Sequence, residues 1–263
     1  MSEYSLQEQF IRRRLFRKRF VRLMRILILL GFLGIWEMGA RLGWIDSFIF
    51  SSPSQIGSTF LSMMRKEHLM SHIGITLLET IISFLLVILL GVGCAVLLWS
   101  CPRLSDILEP YLVMLNSLPK SALAPLLIVW LGANMRTIVV AGMSVAIFGS
   151  VISLYTGFRE TDQDKLKLIY TLGGKKKDTL FKVVLPSSVP LLLATMKVNI
   201  GLCLVGVVIG EFIGARQGLG YLIIYSSQVF KLDWMILSIV ILCVIAMGLY
   251  GLISLAEKKC LRG

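Results

Sequence analysis

The chain has 263 residues with a mean hydropathy of +0.83, of which 56% are hydrophobic and only 16% charged. This composition excludes a water-soluble globular domain. The net charge of +12 does not predict a nucleic-acid partner, because Lys and Arg accumulate in the cytoplasmic loops of membrane proteins. The five cysteines are odd in number and widely spaced, which predicts neither a disulfide framework nor a zinc site.

The apolar residues are concentrated in stretches about 20 residues long, the length a helix needs to cross the hydrocarbon core. Six spans are predicted, at residues 23–43, 73–99, 107–131, 137–157, 188–212 and 235–256. All should be helical, since an open-edged strand in lipid leaves backbone groups unpaired. We therefore expect an all-α polytopic protein. Its predicted parts are a basic N-terminal segment (1–22), one transmembrane domain (23–257, with a loop at 158–187) and a tail (258–263).

The basic residues alternate between the two sides of this arrangement. The side of the N-terminus carries 19 Lys and Arg residues and the opposite side carries five. The positive-inside rule then predicts that both termini are cytoplasmic. A cleaved signal peptide ending near Gly39 is the alternative, but the alternation requires the first helix to stay. Phe16 and Phe20 lie among the first arginines, which predicts a helix resting on anionic lipid head groups.

The third span contains Pro119 and Pro125, and each proline removes a helix hydrogen bond. We expect this span to kink or break, which at membrane depth requires cover by protein or a water-filled cavity. Lys120 lies between the prolines and has two interpretations. It could line a cavity and attract an anionic solute, or it could snorkel or pair with a carboxylate. The candidate carboxylates are Glu37, Glu79 and Glu211.

The loop at 158–187 predicts two short amphipathic helices. The first begins at Thr161 and ends at Gly173 and Gly174, and the second begins at Lys175 and stops before Pro186. Helices this short must rest on the membrane helices, on lipid or on another protein. Their predicted apolar faces are Leu166, Ile169 and Tyr170 on the first helix, and Leu180, Phe181 and Val184 on the second.

Glu211 lies near the outer end of the fifth span, before a glycine-rich turn. It could gate the outer mouth or contact a partner, or it could cap a helix or hydrogen-bond the turn. Glycines recur at every fourth position in this span and predict close helix contact, within the fold or across a dimer. They are Gly206, Gly210 and Gly214. Two histidines in one loop, His68 and His72, do not predict a metal site.

The loop resembles a known signature. It carries the triad Lys167-Leu168-Ile169, then Gly173 after three residues, then Val183, Leu185 and Pro186. This spacing matches E-A-A-x3-G-x9-I-x-L-P of bacterial ABC-importer permeases, although the acidic first residue is missing. Four further stretches resemble the nitrate, sulfonate, taurine and bicarbonate group. They lie at 50–54, 118–125, 129–132 and 210–221, with Lys120 standing where many relatives have a second proline.

The resemblance implies a permease like those of type I ABC importers, in the bacterial cytoplasmic membrane. Its implied partners are a cytoplasmic ABC ATPase dimer, a second permease copy or a homologue, and an extracytoplasmic solute-binding protein. The chain contains no G-x4-G-K-[ST] phosphate loop, so ATP should be bound by the partner, with no cofactor here. The implied ATPase contacts are Lys167, Leu168, Ile169, Gly173, Gly174, Leu180, Val183, Leu185 and Pro186. The pathway candidates are Pro119, Lys120, Pro125 and Glu211.

The resemblance implies a small anionic solute, of the sulfonate or nitrate type, or a heterocyclic vitamin precursor. Two alternatives belong to other classes. An ion-driven carrier would have carboxylates central to the spans and an internal repeat. A membrane scaffold would move no solute. A catalytic role is not predicted, because the two histidines lie in one loop and no catalytic constellation appears.

Overall fold

The computed structural model describes residues 6–260, and all regular secondary structure in this range is helical. The first half of the chain forms α1 (Leu6–Arg41), α2 (Ser47–Phe50), α3 (Pro53–Lys66), α4 (Leu69–Ser100), α5 (Pro102–Ser117) and α6 (Lys120–Leu131). The second half forms α7 (Met135–Arg159), α8 (Gln163–Thr171), α9 (Lys176–Thr179), a π-helical turn (Leu180–Val184), α10 (Leu185–Ser187), α11 (Val189–Gly214), α12 (Leu219–Gln228) and α13 (Leu232–Cys260).

The helices provide five candidate membrane spans, and the predicted six when the bent pair α5–α6 is counted as one span. Five helices, α1, α4, α7, α11 and α13, are each long and apolar enough to cross a membrane. The sixth span is the pair α5 and α6, which are bent by 96° relative to each other. The basic segment is continuous with the first span, since α1 has no break between Leu6 and Arg41. Residues 1–5 and 261–263 of the predicted terminal segments lie outside the described range.

The centre of the bundle is a close contact of α4, α7 and α11, and glycines permit it. A methyl group on Gly142 of α7 would lie 2.6 Å from the Ser83 Oγ of α4 and 2.8 Å from a Val207 methyl of α11. One on Gly206 would lie 2.9 Å from the Ala141 carbonyl oxygen. The glycine repeat of the fifth span therefore makes its contacts within the fold, one of the two arrangements that the sequence predicted.

The bundle has two ends. At the first, which we call the loop end, α4 and α7 finish and the 158–187 loop packs on them. At the second, the α12 end, α3 and the start of α4 pack on α12 and α13. Because α4 runs through 32 residues without interruption, one helix connects the two ends. The buried loop-end cluster is Ala95, Leu98, Val151, Leu154, Tyr155, Phe158, Leu180 and Val184.

Candidate functional site

The first loop helix, α8, has well-defined caps at both ends. Its N-cap is Asp162, whose Oδ1 accepts from the Asp164 amide at 2.9 Å, so the predicted cap at Thr161 is wrong by one residue. Its C-terminus closes through two glycines, as predicted. The Gly173 amide donates to the Tyr170 carbonyl, and the Gly174 amide donates to the Ile169 carbonyl at 2.9 Å. Gly173 has φ +80°, a left-handed conformation that favours glycine.

The second loop helix begins with a cap formed by the Asp178 side chain. The Lys175 amide donates to Asp178 Oδ2 at 2.9 Å, and Lys182 Nζ lies 3.2 Å from Asp178 Oδ1. These two interactions, the backbone one foremost, lower the pKa of the Asp178 carboxyl below its ordinary value. The cap fixes the start of α9 only a few residues after the glycines that end α8.

The prediction that this helix stops before Pro186 is wrong. The chain continues through the π-helical turn Leu180–Val184 and α10, and Pro186 lies inside α10. Within this widened turn, the Leu185 amide donates to the Leu180 carbonyl five residues earlier. A proline ring normally collides with the carbonyl one turn before it, and the wider turn gives the ring room. The helix finally ends at Ser188, whose amide donates to the Val184 carbonyl at 3.1 Å.

The buried residues of the two loop helices lie in the second helix, since α8 contains none. Leu180 and Val184 are buried in the loop-end cluster. Four large apolar residues of these helices are exposed, and we call them together the loop apolar face. They are Leu168, Tyr170, Leu172 and Phe181, with exposed fractions of 57%, 51%, 75% and 66%. Their exposure leaves a surface that the bundle itself does not cover.

The remaining signature residues lie around this face. Lys167 is exposed and pairs with Asp164 at 3.4 Å, so the position that is acidic in the signature here carries a positive charge. Pro186 is exposed as well. Three further signature positions are half-buried, and Leu185 among them packs on the loop-end cluster: Ile169, Val183 and Leu185.

Lys176 ties the second loop helix to the end of α4. Its Nζ donates to the Ser100 carbonyl at 2.7 Å and lies 5.6 Å from the centre of the Trp99 ring. The last carbonyls of a helix have no partner within the helix and attract cations. Sequence reasoning missed this contact, since a run of three lysines does not indicate which of them turns towards the bundle. It also missed the ion pair between Lys197 of α11 and Glu257 of α13.

The third span breaks where Pro119 lies. α5 ends at Ser117 and α6 begins at Lys120, with the 96° bend between them. Pro125 lies inside the continuous helix α6, so the predicted break occurs at one of the two prolines. The structure places this angular segment against α7 and α11.

Lys120 is bound at this break, and its predicted pairing with Glu37, Glu79 or Glu211 is wrong. Its Nζ donates to the carbonyls of Leu115 at 2.5 Å and Asn116 at 2.9 Å. The break leaves these carbonyls at the end of α5 without helical partners, and the lysine supplies donors for them.

Glu211 caps α12 from inside the bundle, one of the two interpretations left open by the sequence. The side chain is 1% exposed, and its Oε1 accepts from the Thr76 hydroxyl at 2.7 Å. Three successive backbone amides at the start of α12 donate to side chains. The Gly218 amide donates to His72 Nδ1 at 3.0 Å, and the Leu219 amide donates to Thr76 Oγ1 at 2.8 Å. The Gly220 amide donates to Glu211 Oε2 at 2.6 Å. Side chains of α4 and α11 thus hold the N-terminus of α12. Thr76 had no sequence signal, because its partners are more than 130 residues away.

Comparisons with known proteins agree on the kind of protein. Residues 87–257 match the family described as binding-protein-dependent transport system inner membrane component. A probable ABC transporter permease protein of Haemophilus influenzae is 33% identical over 231 residues, covering 88% of this chain and 94% of the relative. A putative aliphatic sulfonates transport permease protein of Bacillus subtilis is 26% identical, covering 96% of this chain and 91% of the relative.

Two further similarities extend the comparison. A formylaminopyrimidine transport permease protein of Halalkalibacterium halodurans is 28% identical, covering 71% of this chain and 74% of the relative. A chain from inward-facing conformations of the MetNI methionine ABC transporter superposes with a TM-score of 0.63 at 19% identity. The match covers 74% of this chain and 94% of that chain, and it supports the fold alone.

Proposed function

Because this chain belongs to the family of binding-protein-dependent transport system inner membrane components, and is therefore a permease subunit of an ABC importer, we propose that residues 161–186 couple it to a separate ATPase. The observation that carries this proposal is the loop apolar face. Four large apolar side chains are exposed on the loop, and the second loop helix is anchored in the bundle by Leu180 and Val184. Large apolar residues grouped on a loop surface are typical of a protein contact.

The loop has the rigidity that coupling requires. Two glycines close α8, the Asp178 cap starts α9, and the π-helical turn carries the helix past Pro186. The buried side packs on the ends of α4 and α7, and Lys176 bonds to Ser100. Closure of two ATPase subunits on ATP would displace the loop, and the loop would displace these helices. The absence of a phosphate loop from the sequence agrees with ATP binding in the partner.

The arrangement in the membrane follows from the distribution of charge. We place the loop end and both termini in the cytoplasm, with the α12 end facing outward to a solute-binding protein. The excess of Lys and Arg on the loop-end side supports this orientation. The basic start of α1 would then lie on the anionic inner leaflet. A second copy of this chain, or a homologue, would complete the pathway.

We propose the bent segment α5–α6 as one wall of the solute pathway. Broken helices at membrane depth require protein or water beside them, and Pro119 produces such a break. Pro125 and Lys120 belong to the same wall, and Glu211 lies on α11, which packs against α6. The solute class we propose is a small anion or heterocycle. Relatives named for aliphatic sulfonates and for formylaminopyrimidine support that range.

A matched pair of phenylalanines tests the coupling proposal. Phe181→Ala removes one of the four residues of the loop apolar face, whereas Phe230→Ala removes a similarly exposed phenylalanine (70%) at the α12 end. We expect Phe181→Ala to weaken ATPase binding about tenfold or more, the loss of a well-placed contact residue, with Tm unchanged. Phe230→Ala should bind the ATPase as the wild type does. Undiminished ATPase binding by a Leu168→Ala, Phe181→Ala double variant would overturn the proposed surface.

A further inference from the structure

An open cavity lies at the α12 end of the bundle. It encloses about 410 Å³, which is within the size range of small-molecule sites. Its lining residues come from α4, α12 and α13 and from the links before α4 and α12, so the cavity is separate from the proposed pathway wall α5–α6. The lining combines aromatic rings with charged groups and includes His68, His72, Arg216, Tyr221, Tyr225 and Trp234.

Aromatic rings make up much of this lining. The Tyr221 ring of α12 stacks with two neighbours: its centre lies 6.2 Å from that of His72 and 5.8 Å from that of Tyr225. The interplanar angles are 7° and 20°, so the three rings are nearly parallel. Trp234 of α13 lines the same cavity. Aromatic faces bind other flat rings in offset or edge-on contacts, so this lining favours a planar ligand.

The backbone at His68 is strained where it borders the cavity. His68 has φ +50°, a left-handed conformation that is uncommon outside glycine, and its side chain does not cap α4. Such conformations persist where the surrounding structure holds them, and they cluster at active sites and ligand-binding sites. This strain is independent of the stacked rings and indicates a functional site at the same place.

Two groups of the lining can bind an acid group. Arg216 is exposed and takes part in none of the ion pairs found among residues 6–260. A guanidinium group binds a carboxylate or sulfonate through two parallel hydrogen bonds. His72 Nδ1 accepts from the Gly218 amide at 3.0 Å, so the neutral ring carries its proton on Nε2. This Nε2–H group is the donor that His72 can offer to a ligand.

The charges around the cavity favour an anion. Besides Arg216, Lys231 lies beside the cavity, with its Nζ 3.9 Å from the centre of the Trp234 ring. Glu67 is the one carboxylate in the lining, and it is exposed to solvent, which weakens its effect. The two histidines of the lining carry either no charge or a positive one.

We propose that this cavity binds a planar aromatic or heteroaromatic acid. The ring of the ligand lies against Tyr221, Tyr225 and Trp234. Its carboxylate or sulfonate group pairs with Arg216 and accepts a hydrogen bond from His72 Nε2–H. In the orientation proposed above, the ligand enters from the outer side of the membrane. Because His72 lies on α4 and Tyr221 on α12, the bound ligand bridges these two helices.

A series of three ligands tests the ligand class on the purified full chain in lipid nanodiscs. Equilibrium dialysis with empty nanodiscs as the blank compares benzoate with benzamide, which has the ring without the charge. It also compares benzoate with cyclohexanecarboxylate, which has the charge without the aromatic ring. We expect benzoate to bind about tenfold or more tightly than benzamide, the contribution of a charged hydrogen bond. Over cyclohexanecarboxylate the gain should be about threefold, the contribution of aromatic contacts.

Two substitutions with opposite effects on charge test the site. Arg216→Gln removes the cation and should weaken benzoate binding about tenfold or more. Glu67→Gln removes the competing carboxylate and should strengthen it about twofold to fivefold. Arg136→Gln is the control, because it removes an exposed arginine of α7 that does not line the cavity. It should bind benzoate as the wild type does, and benzamide binding should be equal in all four proteins.

The three substituted side chains are exposed, so the variants should keep the Tm of the wild type. Equal affinity of the wild type for benzoate and benzamide would overturn the proposed ligand class, and this comparison requires no variant. Unchanged or tighter benzoate binding by Arg216→Gln would overturn the proposed site. Neither an ATPase nor transport enters these measurements, so failure here leaves the proposed function untouched.

Discussion

At the bend of the third span, the charged ammonium group of Lys120 binds backbone carbonyl groups. Its Nζ donates to the last carbonyls of α5 and lies 5.5 Å from the centre of the Phe148 ring. A cation at the C-terminus of a helix also interacts favourably with the helix dipole. This geometry explains why a lysine is tolerated in the middle of an apolar span.

Lys120→Met should therefore destabilise the permease by about 1 kcal/mol, because two carbonyls lose their donor. This corresponds to a fall in Tm of about 2–4 °C for a chain of this size. Lys120→Arg should retain most of the stability, and Lys165→Met, at an exposed loop position, should change nothing. An unchanged Tm together with a raised KM for an anionic solute would contradict the capping role and favour a cation lining the pathway.

Asp178 gives the loop a defined response to acid. The pKa of its carboxyl is lowered in the folded loop, chiefly by the Lys175 amide and then by Lys182. The stabilisation is therefore present above the ordinary carboxyl pKa, about 3.9, and is lost as pH falls through the lower folded value. Amides 175–180 should lose protection on acidification in the wild type, measured by hydrogen exchange. Asp178→Asn should remove this dependence and Asp164→Asn should not; equal profiles for all three proteins would refute the cap.

At the scale of the elements, α4, α7 and α11 can approach closely because glycines at their contacts carry no side chain. A methyl group on Gly142 would meet both neighbouring helices, whereas one on Gly248 of α13 would have nothing within 4 Å. Gly142→Ala should destabilise by about 1–3 kcal/mol through overpacking. Gly248→Ala should be neutral or slightly stabilising, since alanine favours helix. Thermal unfolding in detergent compares the two, and equal Tm values would contradict the packing described.

The elements also show what sequence can predict. Length and apolarity determine a span, so the five long apolar helices and the bent pair α5–α6 could be predicted. The two glycines after α8 and the break at Pro119 follow from local chemistry. The π-helical turn did not follow, because it depends on Leu180 and Val184 packing against distant parts of α4 and α7. Likewise, the partners of Glu211 on α4 are set by tertiary contacts that no local pattern encodes.

At the scale of the whole molecule, the proposed orientation can be tested with the free cysteine Cys101, which is exposed between α4 and α5. In a variant whose other cysteines are serine, an impermeant maleimide should label Cys101 only after spheroplasts are permeabilised. In a second variant Cys101 is serine as well, and Gln217→Cys introduces a single cysteine at the α12 end. This cysteine should be labelled in intact spheroplasts. The reverse pattern would invert the proposed topology and place the loop apolar face outside.

We propose above all that this permease takes its energy from a separate ATPase bound at the loop. Mild extraction from native membranes through a C-terminal tag, followed by native mass spectrometry, measures this directly. We predict a complex with two permease chains, each 29.3 kDa if both are copies of this one, and two ATP-binding subunits. The Phe181→Ala protein should recover a smaller fraction of the ATP-binding subunits than the wild type. Recovery of the chain without any ATP-binding protein, even after cross-linking with an ATP analogue, would contradict the account.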